Sequence, residues 1–194
     1  VPNTFDTQPV APGEAILDLD SEFISAMQSH SPSFATDQYH LIGVVPFSNS
    51  LSVPRTWDIA QQLNATWLNE GEAKQRRVLK TSLTARTISR VGEIFTRGTL
   101  VVTPGDRDDL LLATAMASMN DIPMAGIVLT GGIIPIDTVF ELCQPALKTG
   151  LPIMSVHTDS LETVTNLSTI SNEIPKDDAE RAETVARFVA AHID

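Results

Sequence analysis

Three short polar turns hold the residues of this 194-residue chain whose types and spacing could do chemistry. The first is Gly105-Asp106-Arg107-Asp108. A glycine permits a tight turn, and a carboxylate can cap the N–H groups of a following helix. Arg107 is the odd member, because a cation at a helix N-terminus is unfavourable unless something anionic lies beside it. That anion is either Asp106, Asp108 or Asp109 of the chain itself or a bound anionic ligand. The second turn, Thr130-Gly131-Gly132, lets a ligand or another backbone come close, or simply serves a loop that needs positive φ. The third, His157-Thr158-Asp159, offers polar ligand contacts or a helix cap from Asp or Thr. Gly105, Asp106, Arg107, Thr130, Gly131, Gly132, His157 and Thr158 are therefore the candidate ligand-binding residues.

Other chemistries lack their residues. A phosphate-cradling loop needs G-x-x-x-x-G-K-[ST], and no such run occurs; G-x-G-x-x-G and G-x-S-x-G are also missing. His30, His40, His157 and His192 are far apart, and none has a metal-ligand neighbour at i+4, so neither a metal nor a cofactor is expected. Cys143 falls in an apolar run, where a buried thiol keeps its proton and reads as structural. No nucleophile is paired with a base, so no catalytic residue is assigned.

The elements that must position the three turns are strands. Residues 99–103, 125–129 and 151–156 are apolar and β-branched, with starts about 26 residues apart, as in successive βα units of a parallel sheet. Parallel strands joined by helical crossovers point the same way, so the turns gather at one sheet edge, where open α/β sheets bind ligands. The helix after Gly105, over 110–119, is apolar on nearly every face and is expected to be buried between layers or in a subunit contact.

The rest of the chain supplies further elements. Residues 1–13 read as a linker or an unsupported end, 21–27 as a short helix capped by Asp20, and 41–45 as a buried strand. Pro54 opens a helix over 55–63 at the favoured first-turn position. Strands follow at 65–68 and 77–85, and helices at 89–95 and 138–147. The last helix, 177–192, is capped by Asp177 or Asp178. It buries Ala182, Val185, Ala186 and Val189, keeps Arg181 and Arg187 off that face, and is expected to sit at the edge of the sheet.

Net charge is −11, from 24 acidic and 13 basic side chains, which argues against nucleic-acid and membrane-surface partners. One cysteine allows no internal disulfide and fits a reducing, cytoplasmic setting. No run approaches a membrane span, and no signal peptide is visible. The start at Val1 reads as a piece of a longer chain.

Asp106-Arg107 followed by Thr130-Gly131-Gly132 resembles the signature pair of the DRTGG domain. The match widens through Gly43-Val44-Val45-Pro46, Asp58-Ile59-Ala60, Leu63-Asn64-Ala65-Thr66, Asn69-Glu70-Gly71, Arg76-Arg77-Val78, Ala85-Arg86, Gly98-Thr99-Leu100-Val101-Val102-Thr103 and Ala117-Ser118-Met119-Asn120. Over about residues 39–192 this is similar to the middle of the long bacterial phosphate acetyltransferases. The resemblance implies an α/β fold: a mostly parallel sheet with helical crossovers over 69–194, preceded at 39–68 by the end of a P-loop-like domain related to dethiobiotin synthetase. Residues 1–38 match poorly. It also implies that the catalytic domain is absent and that the segment is regulatory or oligomerising, a dimer by itself and part of a hexamer in the parent. The resemblance further implies that the parent's activity is tuned by metabolites such as NADH and pyruvate. The alternative is a small-anion or nucleotide-sensing module.

Overall fold

A strand such as Leu100-Val101-Val102 is apolar on both faces, so it is stable only where helices cover both sides of its sheet. The computed structural model describes residues 25–26, 29–31, 45, 48–84, 92–170 and 173–193. It divides into one unit of residues 53–172 and a second from the described parts of 1–52 and 173–194.

The first unit is built on five strands: β1 (Thr66–Asn69), β2 (Lys80–Leu83), β3 (Thr99–Pro104), β4 (Gly126–Thr130) and β5 (Ile153–Ser155). They lie in the order β1-β5-β4-β3-β2. β2 to β5 are mutually parallel, and β1 runs antiparallel to β5 at the edge. Among the described residues five α-helices accompany them: α1 (Thr56–Gln62), α2 (Asp108–Met119), α3 (Asp137–Leu142), α4 (Gln144–Leu147) and α5 (Ser160–Ser168). Strand alternation divides the core in two. Val101, Ile127, Leu129 and Ile153 pack with Leu111 and Ala115 of α2, and with Cys143 and Ala146 around α4. Leu100, Val102, Val128 and Met154 pack with Ile59 and Ala60 of α1, and with Val164 and Leu167 of α5. The helices after β3 and β4 thus cover one face, and the helix after β5 crosses to the other.

The three βα units form as the spacing predicts, with Leu100 opposite Gly126 and Ile127 opposite Ile153. The local differences have identifiable causes. The helix expected at 138–147 is two helices meeting at the buried Cys143, because Pro145 in the first turn of α4 has no N–H to continue α3. Pro54 precedes α1 instead of opening it. The N-cap is Arg55, whose N–H and guanidinium both bond the Asp58 carboxylate, at 2.9 and 2.7 Å. Residues 92–94 form a single 3-10 turn, and 85–91 of the helix and strand expected there lie outside the described residues. So do 1–13 and, apart from 25–26 and 45, the helix expected at 21–27 and the strand at 41–45.

In the second unit, α6 (Ala179–Ala190) is capped by Asp178, which accepts from the Arg181 N–H at 3.2 Å. The expected burial face is corrected here. Arg181 is buried, donating to the Leu51 carbonyl at 2.7 Å, while Ala182 and Ala186 are exposed. A guanidinium has five donors with which to satisfy buried carbonyls, whereas an alanine methyl gains little from burial. The helix belongs to this unit and not to that of the sheet. No described helix is long and apolar enough to cross a membrane.

Candidate functional site

The three turns leave β3, β4 and β5 at the same edge of the sheet, and backbone hydrogen bonds tie them to one another. The Gly105 N–H donates to the Thr130 carbonyl at 3.0 Å, joining the first turn to the second. The Gly131 N–H donates to Thr158 and the Gly132 N–H to Val156, both at 2.8 Å, joining the second to the third. A crevice is expected between β4 and β5, where the following helices part to opposite faces. Here backbone hydrogen bonds of the chain itself cross that place.

The glycines make this closure possible. Gly131 and Gly132 have φ of +81° and +67°, a region that L side chains avoid. A Cβ on Gly132 would lie 2.8 Å from His157 Nδ1, so the imidazole packs directly on that glycine. Gly105 is buried with an ordinary φ, and its need is space: a Cβ there would overlap the Ile133 carbonyl. Of the alternatives open on the sequence, both the positive φ and the approach of the chain's own backbone are seen.

Side chains reinforce the closure. The Thr130 hydroxyl, 2% exposed, shares a hydrogen bond with Ser160 at 2.7 Å, and Thr158 shares one with Thr163 at 2.7 Å. Asp159 caps α5 by accepting from the Glu162 N–H at 2.8 Å, which is the turn reading of that segment. Arg107 is the N-cap residue of α2 and makes a bidentate pair with Asp109, Nε to Oδ1 and Nη2 to Oδ2, each at 2.8 Å. The bond from Arg107, with help from the Leu110 N–H, holds the Asp109 carboxyl below its usual range, and the same pairing raises the Arg107 guanidinium. The anion that Arg107 requires is thus supplied from two residues away.

The edge as a whole is acidic. Asp106, Asp108, Asp109, Asp137, Asp159 and Glu162 stand in the three turns and the first helical turns after them, against Arg107 as their Lys or Arg. No group of metal-ligating side chains is found among the described residues. In the turns no hydroxyl is paired with a histidine or a carboxylate, so no activated nucleophile is formed. Burial pushes the Cys143 thiol up, away from the thiolate.

Three features of the edge were not named from the sequence. Ser160 is bonded to Thr130, but a helix-starting serine carries no sign of its partner. The Ile133 carbonyl above Gly105 is a backbone group that sequence does not mark. The Thr103 hydroxyl is buried without a hydrogen-bond partner, on the face that α2 covers. A threonine closing an apolar strand was its one visible signal.

Comparison with known proteins adds the decisive observation: the DRTGG domain family model matches residues 58–170, more than half of the chain. The chain belongs to the DRTGG domain family. Its named residues are those of the interlocked edge, Asp106-Arg107 and Thr130-Gly131-Gly132. The phosphate acetyltransferase of Pseudomonas putida is 44% identical over 174 residues, covering 90% of this chain and 25% of the relative. That of Pseudomonas aeruginosa is 46% identical over 174 residues, with the same shares. That of Escherichia coli is 40% identical over 154 residues, covering 79% of this chain and 22% of the relative. The chain therefore spans about a quarter of the length of these relatives. Among solved structures, the CBS and DRTGG domains from the regulatory region of Clostridium perfringens pyrophosphatase, complexed with the activator diadenosine tetraphosphate, match with a TM-score of 0.50. That likeness, at 16% identity over 84% of this chain and 82% of the other, supports the mixed α/β fold.

Proposed function

We propose that the chain is a non-catalytic regulatory and assembly segment of a phosphate acetyltransferase. The parent reaction interconverts acetyl-CoA and phosphate with acetyl phosphate and coenzyme A. The observation that carries the reading is the state of the DRTGG edge. It aligns with phosphate acetyltransferases, yet its glycine amides and its arginine are engaged within the chain and no nucleophile is activated. In this reading the segment needs no cofactor, works in the cytoplasm, and acts on acetyl transfer through contacts with the rest of the protein. The test is an acetyl-transfer assay on the pure 194-residue chain. No turnover is expected, and turnover of acetyl phosphate that co-purifies with the chain would overturn the reading.

A second reading, a small-anion effector site at the same edge, draws support from one observation. The unpartnered Thr103 hydroxyl lies on the face that α2 covers, and Arg107 stands at the N-terminus of that helix. The six surrounding carboxylates weigh against it. Calorimetry with NADH, adenine nucleotides and pyruvate on the wild type and Arg107→Ala decides it. Binding that is lost in the variant supports an effector site, and no binding by either protein removes it.

A further inference from the structure

β2 is an outermost strand of the sheet, and among the described residues it pairs with β3 alone. The Lys80 N–H donates to the Gly98 carbonyl at 3.2 Å, and the Thr84 N–H to that of Val102 at 2.9 Å. Alternate residues of a strand turn their backbone groups to opposite sides, so those of Thr81 and Leu83 point away from β3. Side chains alternate between the two faces, with Thr81 and Leu83 on one and Lys80 and Ser82 on the other. Leu83 is 47% exposed, and Leu79, just before the strand, 58%. Open backbone groups beside exposed leucines are a template for a further strand.

We propose that the outer side of β2 receives an extended acidic segment of another protein as an added strand. Charge selects the occupant. Residues 77–97 hold Arg77, Lys80, Arg86, Arg90 and Arg97 against Glu93 alone. Every other part of the chain, whether 1–54, 55–76, 98–172 or 173–194, has at least as many acidic as basic side chains. Lys80 is exposed on the strand itself, and Arg97 is exposed beside Gly98, whose carbonyl takes the Lys80 N–H. Asp121 belongs to the connection from α2 to β4, which lies beyond β3 from β2. At about 0.15 M salt, charges further than about 8 Å away are largely screened, so the bases beside β2 outweigh the acidity of the whole chain there. A second copy offering its own β2 would set Lys80 against Lys80. β1, the outermost strand on the other side, carries no charged residue and selects no partner by charge.

Strand geometry sets the pattern of the partner. Residues two apart on the added strand share a face, so apolar side chains beside Thr81 and Leu83 alternate with carboxylates beside Lys80. Main-chain bonds to Thr81 and Leu83 hold such a segment, and the alternation makes it selective. This contact is independent of the acetyl-transfer reading, which stands or falls by its own assay.

Fluorescence anisotropy on the 194-residue chain at about 0.15 M salt tests it. The probe is a labelled eight-residue peptide of alternating valine and glutamate. It is expected to bind at least about tenfold more tightly than the same peptide with lysine in place of glutamate. Methylation of alternate peptide amides, on the side facing β2, is expected to abolish binding. Lys80→Glu is expected to weaken binding about tenfold. Thr81→Pro removes an outward N–H and no bond to β3, so it is expected to abolish binding while circular dichroism and the thermal midpoint stay those of the wild type. If that variant unfolds, amide exchange decides: the Thr81 and Leu83 amides of the wild type are expected to slow when the peptide is added. A lysine on an outermost strand can serve only to keep other strands away. That role predicts no binding of the glutamate peptide, which overturns the proposal. So do equal binding of the lysine peptide, binding that survives Lys80→Glu, exchange at Thr81 and Leu83 that the peptide leaves unchanged, and tighter binding of a labelled oligothymidylate of the same length.

Discussion

The two edges of the sheet solve the same problem with a different balance of donors. Strand ends and the loops beyond them expose carbonyls that must find donors when buried. At the edge where β4 and β5 begin, long side chains reach in. Arg76 donates Nη1 to the Met124 carbonyl at 2.6 Å and Nη2 to Thr149 at 2.5 Å. Thr56 reaches Ala125 at 2.8 Å, and Asn69 reaches Leu151 at 2.7 Å. At the edge where these strands end, the donors are the amides of Gly105, which has no room for a Cβ, and of Gly131 and Gly132, which hold positive φ. The first edge adds these side chains to a close backbone approach of its own at Gly71 and Gly150, whereas the second is tied chiefly by glycine amides. Truncation is therefore the test of the first edge, and addition that of the second.

The largest expected effect is at the first edge. Arg76→Ala removes two bonds from a charged donor to partly buried carbonyls and is expected to cost about 2 kcal/mol or more of unfolding free energy in a urea titration. Arg76→Lys is expected to recover less than half, because an ammonium cannot reproduce the planar fork that spans two carbonyls. Next comes addition at the second edge. Gly105→Ala drives a methyl into the Ile133 carbonyl and is expected to cost about 2 kcal/mol by the same measurement. If Gly105→Ala is neutral while Arg76→Ala is costly, the edges do not differ in the way described.

The smallest effect belongs to the Arg107–Asp109 pair, which is partly solvent-exposed. Asp109→Asn is expected to cost at most about 0.5 kcal/mol near neutrality. Its pH dependence has a definite sign. A carboxyl held low in the folded state adds stability that is fully present above the ordinary carboxyl value of about 4. That contribution is lost as pH falls through the lowered folded value. Thermal midpoints of wild type and Asp109→Asn should therefore differ most above that range and converge in stronger acid. A gap that widens in acid would show that the pair does not stabilise the turn.

Much of this layout is legible in the residues. The β-branched runs and their spacing give the three parallel strands. The turn residues give the shared edge, and Asp159 and Asp178 cap helices as their positions imply. What escaped reading is non-local. The segment 66–69 is locally a plain strand, and nothing near it announces antiparallel pairing with β5. Arg181 looks like a solvated charge until the Leu51 carbonyl, 130 residues away in sequence, is placed beside it. At the edge itself, a Gly-Gly pair allows either a close approach or a loop with positive φ. Only the fold shows both, with positive φ at the pair and its amides bonded to the backbone of the next turn.

Amide hydrogen exchange at Gly105, Gly131 and Gly132 tests most directly whether the DRTGG turns are closed on one another. In loops open to a ligand these glycine amides would exchange near their unprotected rates. The interlocked edge predicts protection within about tenfold of the central β4 amides, because all should open in one cooperative step. Exchange of the three glycines at unprotected rates, with β4 still protected, would contradict the closed edge.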